Sequence, residues 1–255
     1  MSSWALVTGA TSGIGESFTR LLASNRYNIV LVARDLPRLQ ERAQALEEKF
    51  RVKTHVIQAD LATDEGCLKI EKYILENQID VLINNAGFGT SKAFTMSSLE
   101  IEQQLLDVLV RTPMRLMHVA LPLMKQRNNG VVINVSSVAG YIAGGSYSAS
   151  KSYLTVLSES LNTELSATNV KVSALCPGFT RTEFHQRGKM SMKALPNFMW
   201  LNSDRLVEQS WRDALKGEAV SVPGWQYKLL VFVVHTLPRS IVRKVGMNLR
   251  NKQRK

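Results

Sequence analysis

Thr8-Gly9-Ala10-Thr11-Ser12-Gly13-Ile14-Gly15 places three glycines within eight residues, directly behind the apolar run Trp4 to Val7. Glycine lets a backbone turn tightly and approach a neighbouring group closely. Between a strand and a helix, such a turn aims backbone N–H groups and the positive end of the helix dipole at an anion. The pyrophosphate of a dinucleotide is the anion that this arrangement suits. Gly9, Thr11, Ser12, Gly13, Ile14 and Gly15 are the expected contacts; a purely structural turn is the plain alternative. A second pair, Tyr147 and Lys151, is four residues apart, so a helix carries both on one face. A free phenol titrates at about 10, too high for proton transfer near neutrality. A neighbouring ammonium favours the phenolate and lowers that value. The pair is a weak signal alone, since a core tyrosine beside a surface lysine has the same spacing.

The elements that must position these groups alternate along the chain. Strand-like runs are Ala5–Thr8, Ile29–Ala33, Thr54–Ile57, Val81–Asn84, Val131–Val135 and Val170–Leu175, with a shorter one at Ala219–Val222. Several are continuously apolar, as parallel strands covered on both faces are. Helical spacing runs over Gly13–Ser24, Leu36–Lys49 (Leu39, Ala43, Leu46, Phe50), Asp64–Asn77 (Leu68, Tyr73, Leu75), Ile101–Gln126 and Tyr147–Ala167. Pro113 and Pro122 predict a break or bend in the fourth of these. The order predicts a single α/β domain, a doubly wound parallel sheet of the Rossmann kind with helices on both faces. Its ligands sit at the carboxyl ends of the strands.

The T-G-x-x-x-G-x-G spacing, Asn84-Asn85-Ala86-Gly87 after the fourth strand and Tyr147-Ser148-Ala149-Ser150-Lys151 together resemble the short-chain dehydrogenase/reductase family, from the first strand to about Glu183. The resemblance implies hydride transfer between a nicotinamide cofactor and a carbonyl or alcohol. Tyr147 would exchange a proton with the substrate oxygen, Lys151 would lower the tyrosine pKa and hold the nicotinamide ribose, and Ser137 would hydrogen-bond the substrate oxygen, with Ser136 in reserve. Asp60 and Leu61 would meet the adenine; Asp60 also suits a helix N-cap. Asn84, Ala86 and Gly87 would shape the cleft. Pro177, Gly178 and Thr180 or Thr182 would grip the carboxamide. Ala33 stands where the family's NAD-selecting acid would be, and Arg34 follows. A guanidinium there pairs with a 2′-phosphate, so NADP (NADPH) is expected over NAD. The alternative is a solvated Arg34 with Asp35 capping the next helix or reaching the ribose.

Two positions depart from the family pattern. Leu109 stands where an asparagine usually supports a water chain to the lysine, and the ten-residue step from Ser137 to Tyr147 is short, with Gly140, Gly144 and Gly145 predicting a tight loop. If Leu109 blocks proton transfer, the competing reading is a dinucleotide-binding sensor or scaffold with weak or no turnover.

Residues 1–238 are expected to form the oxidoreductase domain, with a substrate lid at about 184–201. Met190, Met192, Leu195, Phe198, Met199 and Trp200 there suit an apolar pocket wall. Residues 239–255 form a basic tail with seven Lys and Arg and no acid, out of a net charge of +11. The body is therefore only mildly basic, and no base-reading motif points to nucleic acid. Behind the apolar segment Trp225 to Val234, the tail suits peripheral contact with an anionic membrane; an oligomer interface with a solvated tail is the alternative. Cys67 and Cys176 share no metal spacing, and the four histidines are scattered, so no metal site is expected. The start of the chain shows no leader pattern, which predicts a cytoplasmic enzyme. The family resemblance adds a homodimer or homotetramer.

Overall fold

β1 (Trp4–Thr8), β2 (Asn28–Ala33), β4 (Val81–Asn84), β5 (Gly130–Val135) and β6 (Val170–Leu175) are almost wholly buried. Successive side chains of a strand point to opposite faces, so each apolar run feeds two cores. Ala5, Val7, Ile29 and Leu31 enter one, and Leu6, Val30 and Val32 the other. With β3 (Thr54–Gln58) and β7 (Val220–Ser221) they form a seven-stranded sheet in the order β3-β2-β1-β4-β5-β6-β7, every pair parallel. This computed structural model describes residues 3–90, 92–184, 196–244 and 246.

The first core is covered by α1 (Gly13–Ser24), α2 (Leu36–Phe50) and a C-terminal helix. The second is covered by α3 (Asp64–Glu76), α5 (Thr112–Gln126) and α6 (Ser146–Glu164). The doubly wound fold expected from the sequence is present, and strand order reverses between β1 and β4, where a crevice opens at the carboxyl ends.

Two expectations are corrected. On α3 the buried residues are Gly66, Cys67, Ile70 and Ile74, with Tyr73 half-buried beside them, whereas Leu68 and Leu75 face solvent; two stripes fit the spacing, and the sheet takes the one with Ile70 and Ile74. The long fourth helix begins earlier, as α4 (Leu99–Leu106), and passes through a π turn at Asp107–Arg111 into α5. Pro113 offers no N–H to the Leu109 carbonyl four residues back, and the ladder widens there. Pro122 lies inside α5 without ending it.

After β6 the chain leaves the sheet at Thr180 and returns at Leu201, where the two residues bridge. Leu201 N–H donates to the Phe179 carbonyl (2.8 Å) and Arg181 N–H to the Leu201 carbonyl (3.1 Å). Met190, Met192 and Leu195 of the expected lid lie outside the described residues, as does most of the tail. α7 (Ser203–Leu215) then packs Leu206, Val207 and Trp211 on the first core, and α8 (Trp225–Thr236) follows β7. No helix among the described residues is long and apolar enough to cross a membrane. Cys67 and Cys176 are both free and buried.

Candidate active site

The glycine loop hangs from the sheet by its own backbone. Gly9 N–H donates to the Val32 carbonyl (2.8 Å), and Gly9 has φ +66°, a conformation that side chains resist. A Cβ on Gly15 would run into the Gly9 carbonyl, so only glycine lets α1 start this close to β1. Asn85 locks the arrangement: its Nδ2 donates to the Thr8 (2.8 Å) and Gly9 (3.2 Å) carbonyls. The Thr8 hydroxyl accepts from the N–H groups of Asn85 (2.9 Å) and Ala86 (3.0 Å). Thr11 is buried, and Ser12 stands at the N-cap of α1 in extended backbone without a side-chain cap bond. Ile14 packs on the first core. Thr182 lies where a Cβ on Gly13 would be, which brings the segment after β6 onto the loop.

Arg34 is exposed at the end of β2, and its carbonyl accepts from Gln58. Asp35 caps α2 through the Arg38 N–H (3.1 Å). Asp60 is not an N-cap; its carboxylate accepts from Ala62 N–H (3.0 Å), and Thr63 caps α3. The Leu61 side chain is buried in the second core.

Ser137, Tyr147 and Lys151 come together. Ser137 stands two residues past β5, as the N-cap of the Val138–Tyr141 turn, with its side chain beside the Tyr147 phenol. Gly145, at φ +85°, opens α6, and Gly140 lets the Val138–Tyr141 turn lie against the α6 backbone at Lys151 and Ser152, the tight loop that the glycines predicted. Lys151 is buried, with Nζ donating to the Val135 carbonyl (2.6 Å) and standing 5.7 Å from the Tyr147 ring centroid. Burial lowers the Lys151 pKa to about 8. Burial also pushes Tyr147 up to about 12, against a smaller opposing effect of the Ser137 hydrogen bond. The expected lowering of the phenol by the Lys151 ammonium is therefore not found: burial sets the direction, and the Ser137 hydroxyl is what opposes it. Ser136 is no reserve for Ser137: it is buried, donating to the Lys151 carbonyl (2.7 Å) and bonded to Thr155.

Behind the lysine runs a buried polar chain that the sequence reading missed. Asn84 donates to Asn134 (2.8 Å), and Asn134 donates to Ser158 (2.9 Å). An asparagine within the apolar strand Gly130–Val135 was the available signal. Asn84 Oδ1 is buried and unpaired, and a cavity of about 10 Å³ is lined by Asn84, Ala86, Leu109, Val135 and Lys151 among others, the room of a single water. Leu109 is buried, and its side chain occupies the space next to Gly87.

The far wall is aromatic. The Phe184 ring lies 6.0 Å from Tyr147, and Phe179 lies 6.2 Å from Trp200. Ser137 Oγ donates a long bond to the Pro177 carbonyl (3.5 Å), which also accepts from Val138 N–H. Thr180 is buried and donates to the Gly178 carbonyl. Gly178 rests on the Tyr227 ring of α8, whose hydroxyl accepts from Phe179 N–H (2.9 Å) and donates to the Met199 carbonyl (2.6 Å). Nothing in the sequence reading singled out Tyr227. Among the described residues no group of three or more His, Cys, Asp and Glu could hold a metal ion.

The short chain dehydrogenase family profile matches residues 3–192. The chain belongs to the short-chain dehydrogenase/reductase family. A very-long-chain 3-oxoacyl-CoA reductase of Rattus norvegicus is 28% identical over 250 residues, covering 94% of this chain and 75% of that one. A short-chain dehydrogenase from Sphingobium yanoikuyae, solved with NADPH, superposes with a TM-score of 0.84 at 30% identity, over 91% of this chain and 93% of the other. The bulky-bulky ketone specific alcohol dehydrogenase from Comamonas testosteroni gives 0.79 at 29%, over 93% and 96%. The protein is thus an oxidoreductase of this family, with a crevice of the kind that takes a nicotinamide dinucleotide.

Proposed function

We propose that the chain is an NADPH-linked reductase of apolar ketones, or the corresponding alcohol dehydrogenase, working through Ser137, Tyr147 and Lys151. The convergence of those three groups at the carboxyl end of β5 carries the reading. The loop fits a dinucleotide: Cβ atoms on Gly9, Gly13 and Gly15 would collide with Asn85, Thr182 and the Gly9 carbonyl, so only glycines let its backbone lie this close, and the first turn of α1 opens where a pyrophosphate would sit. Gly9 to Gly15, Asn84 to Gly87, Asp60 and Thr182 would hold the cofactor, and exposed Arg34 would pair with a 2′-phosphate. When bound, the cofactor supplies a hydride to the carbonyl carbon. Ser137 hydrogen-bonds the substrate oxygen, and the Tyr147 hydroxyl passes its proton to that oxygen. A phenol held near 12 is protonated at neutral pH, as a proton donor must be, but it is a weak acid there, and the charged Lys151 would have to bring that value down for rapid transfer. Lys151, still largely charged at neutral pH, would hold the ribose. Phe184, Phe179 and Trp200 suit an apolar substrate, and the bulky-ketone enzyme above favours the same class. The buried free thiols fit a reducing, cytoplasmic setting. Exposed Met114 on α5 and Tyr153 and Val156 on α6 suit a homo-oligomer.

NADPH oxidation with a panel of apolar ketones, run beside NADH and beside Tyr147→Phe, tests the reading. Expected is turnover that favours NADPH and falls about 10²–10⁴-fold in Tyr147→Phe. Saturable NADPH binding with turnover indifferent to Tyr147 would transfer the assignment to a dinucleotide-binding sensor or scaffold.

A further inference from the structure

Helix α8 is seated by one face and bare on the other. Tyr227 is buried, Val231 and Val234 follow it half-buried, and His235 stands edge-on to Tyr141 at 5.1 Å between centroids. Opposite them Trp225, Leu229 and Phe232 are 72%, 55% and 66% exposed. Steps of four and three residues put these on one stripe. The stripe continues past the helix with exposed Leu237 and Ile241. At its start Gln226 Nε2 donates to the Phe198 carbonyl (3.1 Å), which joins the Asn197–Met199 turn and its exposed Phe198 ring to the first turn of α8. A helix face turned to water is normally polar, and an apolar surface of this extent marks an interaction site.

Charge selects the partner. From Trp225 to Lys255 the sequence has eight Lys and Arg and no Asp or Glu. Two copies meeting through this face would bring their cationic runs together, whereas an anionic lipid surface neutralises them. Twelve residues are too few to cross a bilayer, so a helix of this kind lies along its surface. We propose that α8 and the Asn197–Met199 turn form a docking face for an anionic membrane. Trp225, Leu229 and Phe232 enter the acyl boundary, and Lys228, Arg239, Arg243 and Lys244 meet the headgroup phosphates. Because Tyr227 props Gly178 and His235 abuts the Tyr141 turn, docking sets the substrate side of the site against the lipid, where apolar ketones concentrate.

The test is co-sedimentation of the full chain with vesicles of phosphatidylcholine mixed with phosphatidylglycerol, and with phosphatidylcholine alone. Expected is binding to the mixed vesicles that weakens with added salt and falls at least about tenfold in Leu229→Ser/Phe232→Ser. Thermal melting of the double variant, expected close to that of the parent, shows that it is folded. Equal sedimentation of parent and double variant overturns the proposal, as does failure of the parent to bind either vesicle. Self-association abolished in the double variant, with no vesicle binding, would assign the stripe to a second copy. Sedimentation is read without turnover, so the result stands whatever the catalytic assays show.

Discussion

The cofactor side and the substrate side of this crevice are built by different means. On the cofactor side, backbone and short side chains hold the glycine loop: Thr8 of β1, the Val32 carbonyl of β2 and Asn85 just past β4 meet it at fixed strand register. On the substrate side, the loop after β6 and the returning chain are joined by the short Thr180–Leu201 bridge and by one phenol, Tyr227, on a helix that is itself half-bare. The first is rigid and intolerant of added atoms. The second rests on few contacts, suited to a wall that adapts to its substrate.

The largest expected effect comes from breaking the rigid side. In Gly15→Ala the new methyl meets the Gly9 carbonyl, a backbone atom that cannot step aside. A loss of about 3 kcal/mol in stability follows, together with NADPH binding, read by denaturant unfolding and fluorescence titration. Unchanged NADPH affinity would show that the loop is not the cradle.

Lys151 lies on the seam between the sides, and its effect has the opposite sign. Its pKa in the fold, about 8, is below the unfolded value of 10.5. Between those values the unfolded chain binds more protons, so stability rises with pH across that window, and below about 8 the full cost of burying the charge is present. That cost is about 3 kcal/mol. Lys151→Met, losing also the bond to Val135, is expected to raise stability at neutral pH by about 2 kcal/mol while abolishing turnover. In the parent, ketone reduction should fall as pH rises through about 8, because Lys151 loses its charge there while Tyr147 stays protonated to about 12. A rate flat through this range would separate Lys151 from proton supply.

A smaller effect is expected where the substrate side is pinned. Tyr227→Phe keeps the ring under Gly178 but leaves Phe179 N–H and the Met199 carbonyl without their partner, at about 1–2 kcal/mol. KM for a bulky ketone should rise with NADPH affinity unchanged. Equal losses in both would mean that the two sides are not built separately.

The same contrast explains what could be read from the sequence. Glycines, buried strands and the Tyr147–Lys151 pair follow local rules, so the glycine turn, the strands that carry it and the approach of Tyr147 to Lys151 were legible. The role of Asn85 was not legible, because its grip on Thr8 depends on β4 lying beside β1, which spacing alone does not show. Tyr227 was hidden for a stronger reason: its partners, Gly178, Phe179 and Met199, are 28 to 49 residues away in sequence. α3 misled because Leu68 and Leu75 make as good a stripe as Ile70 and Ile74 until the sheet picks one.

Leu109 gives the smallest expected effect on turnover and the sharpest question about the seam. The resemblance places an asparagine there, supporting water beside the lysine. Here the π turn ahead of Pro113 carries a leucine instead, facing a cavity of about 10 Å³ that Asn84 and Lys151 also line. Asn84 Oδ1 is buried without a protein partner, and a buried acceptor next to room for one water is satisfied by that water. Asn84 Oδ1 would then supply, from β4, the acceptor that Leu109 lacks. Leu109→Asn should change kcat by less than about threefold and cost about 1–3 kcal/mol, because a second buried amide must find partners in a space that holds one. Paired kcat and unfolding measurements decide it. A rise in kcat of about tenfold or more would mean that the leucine holds the enzyme back and that Asn84 does not stand in for the missing amide.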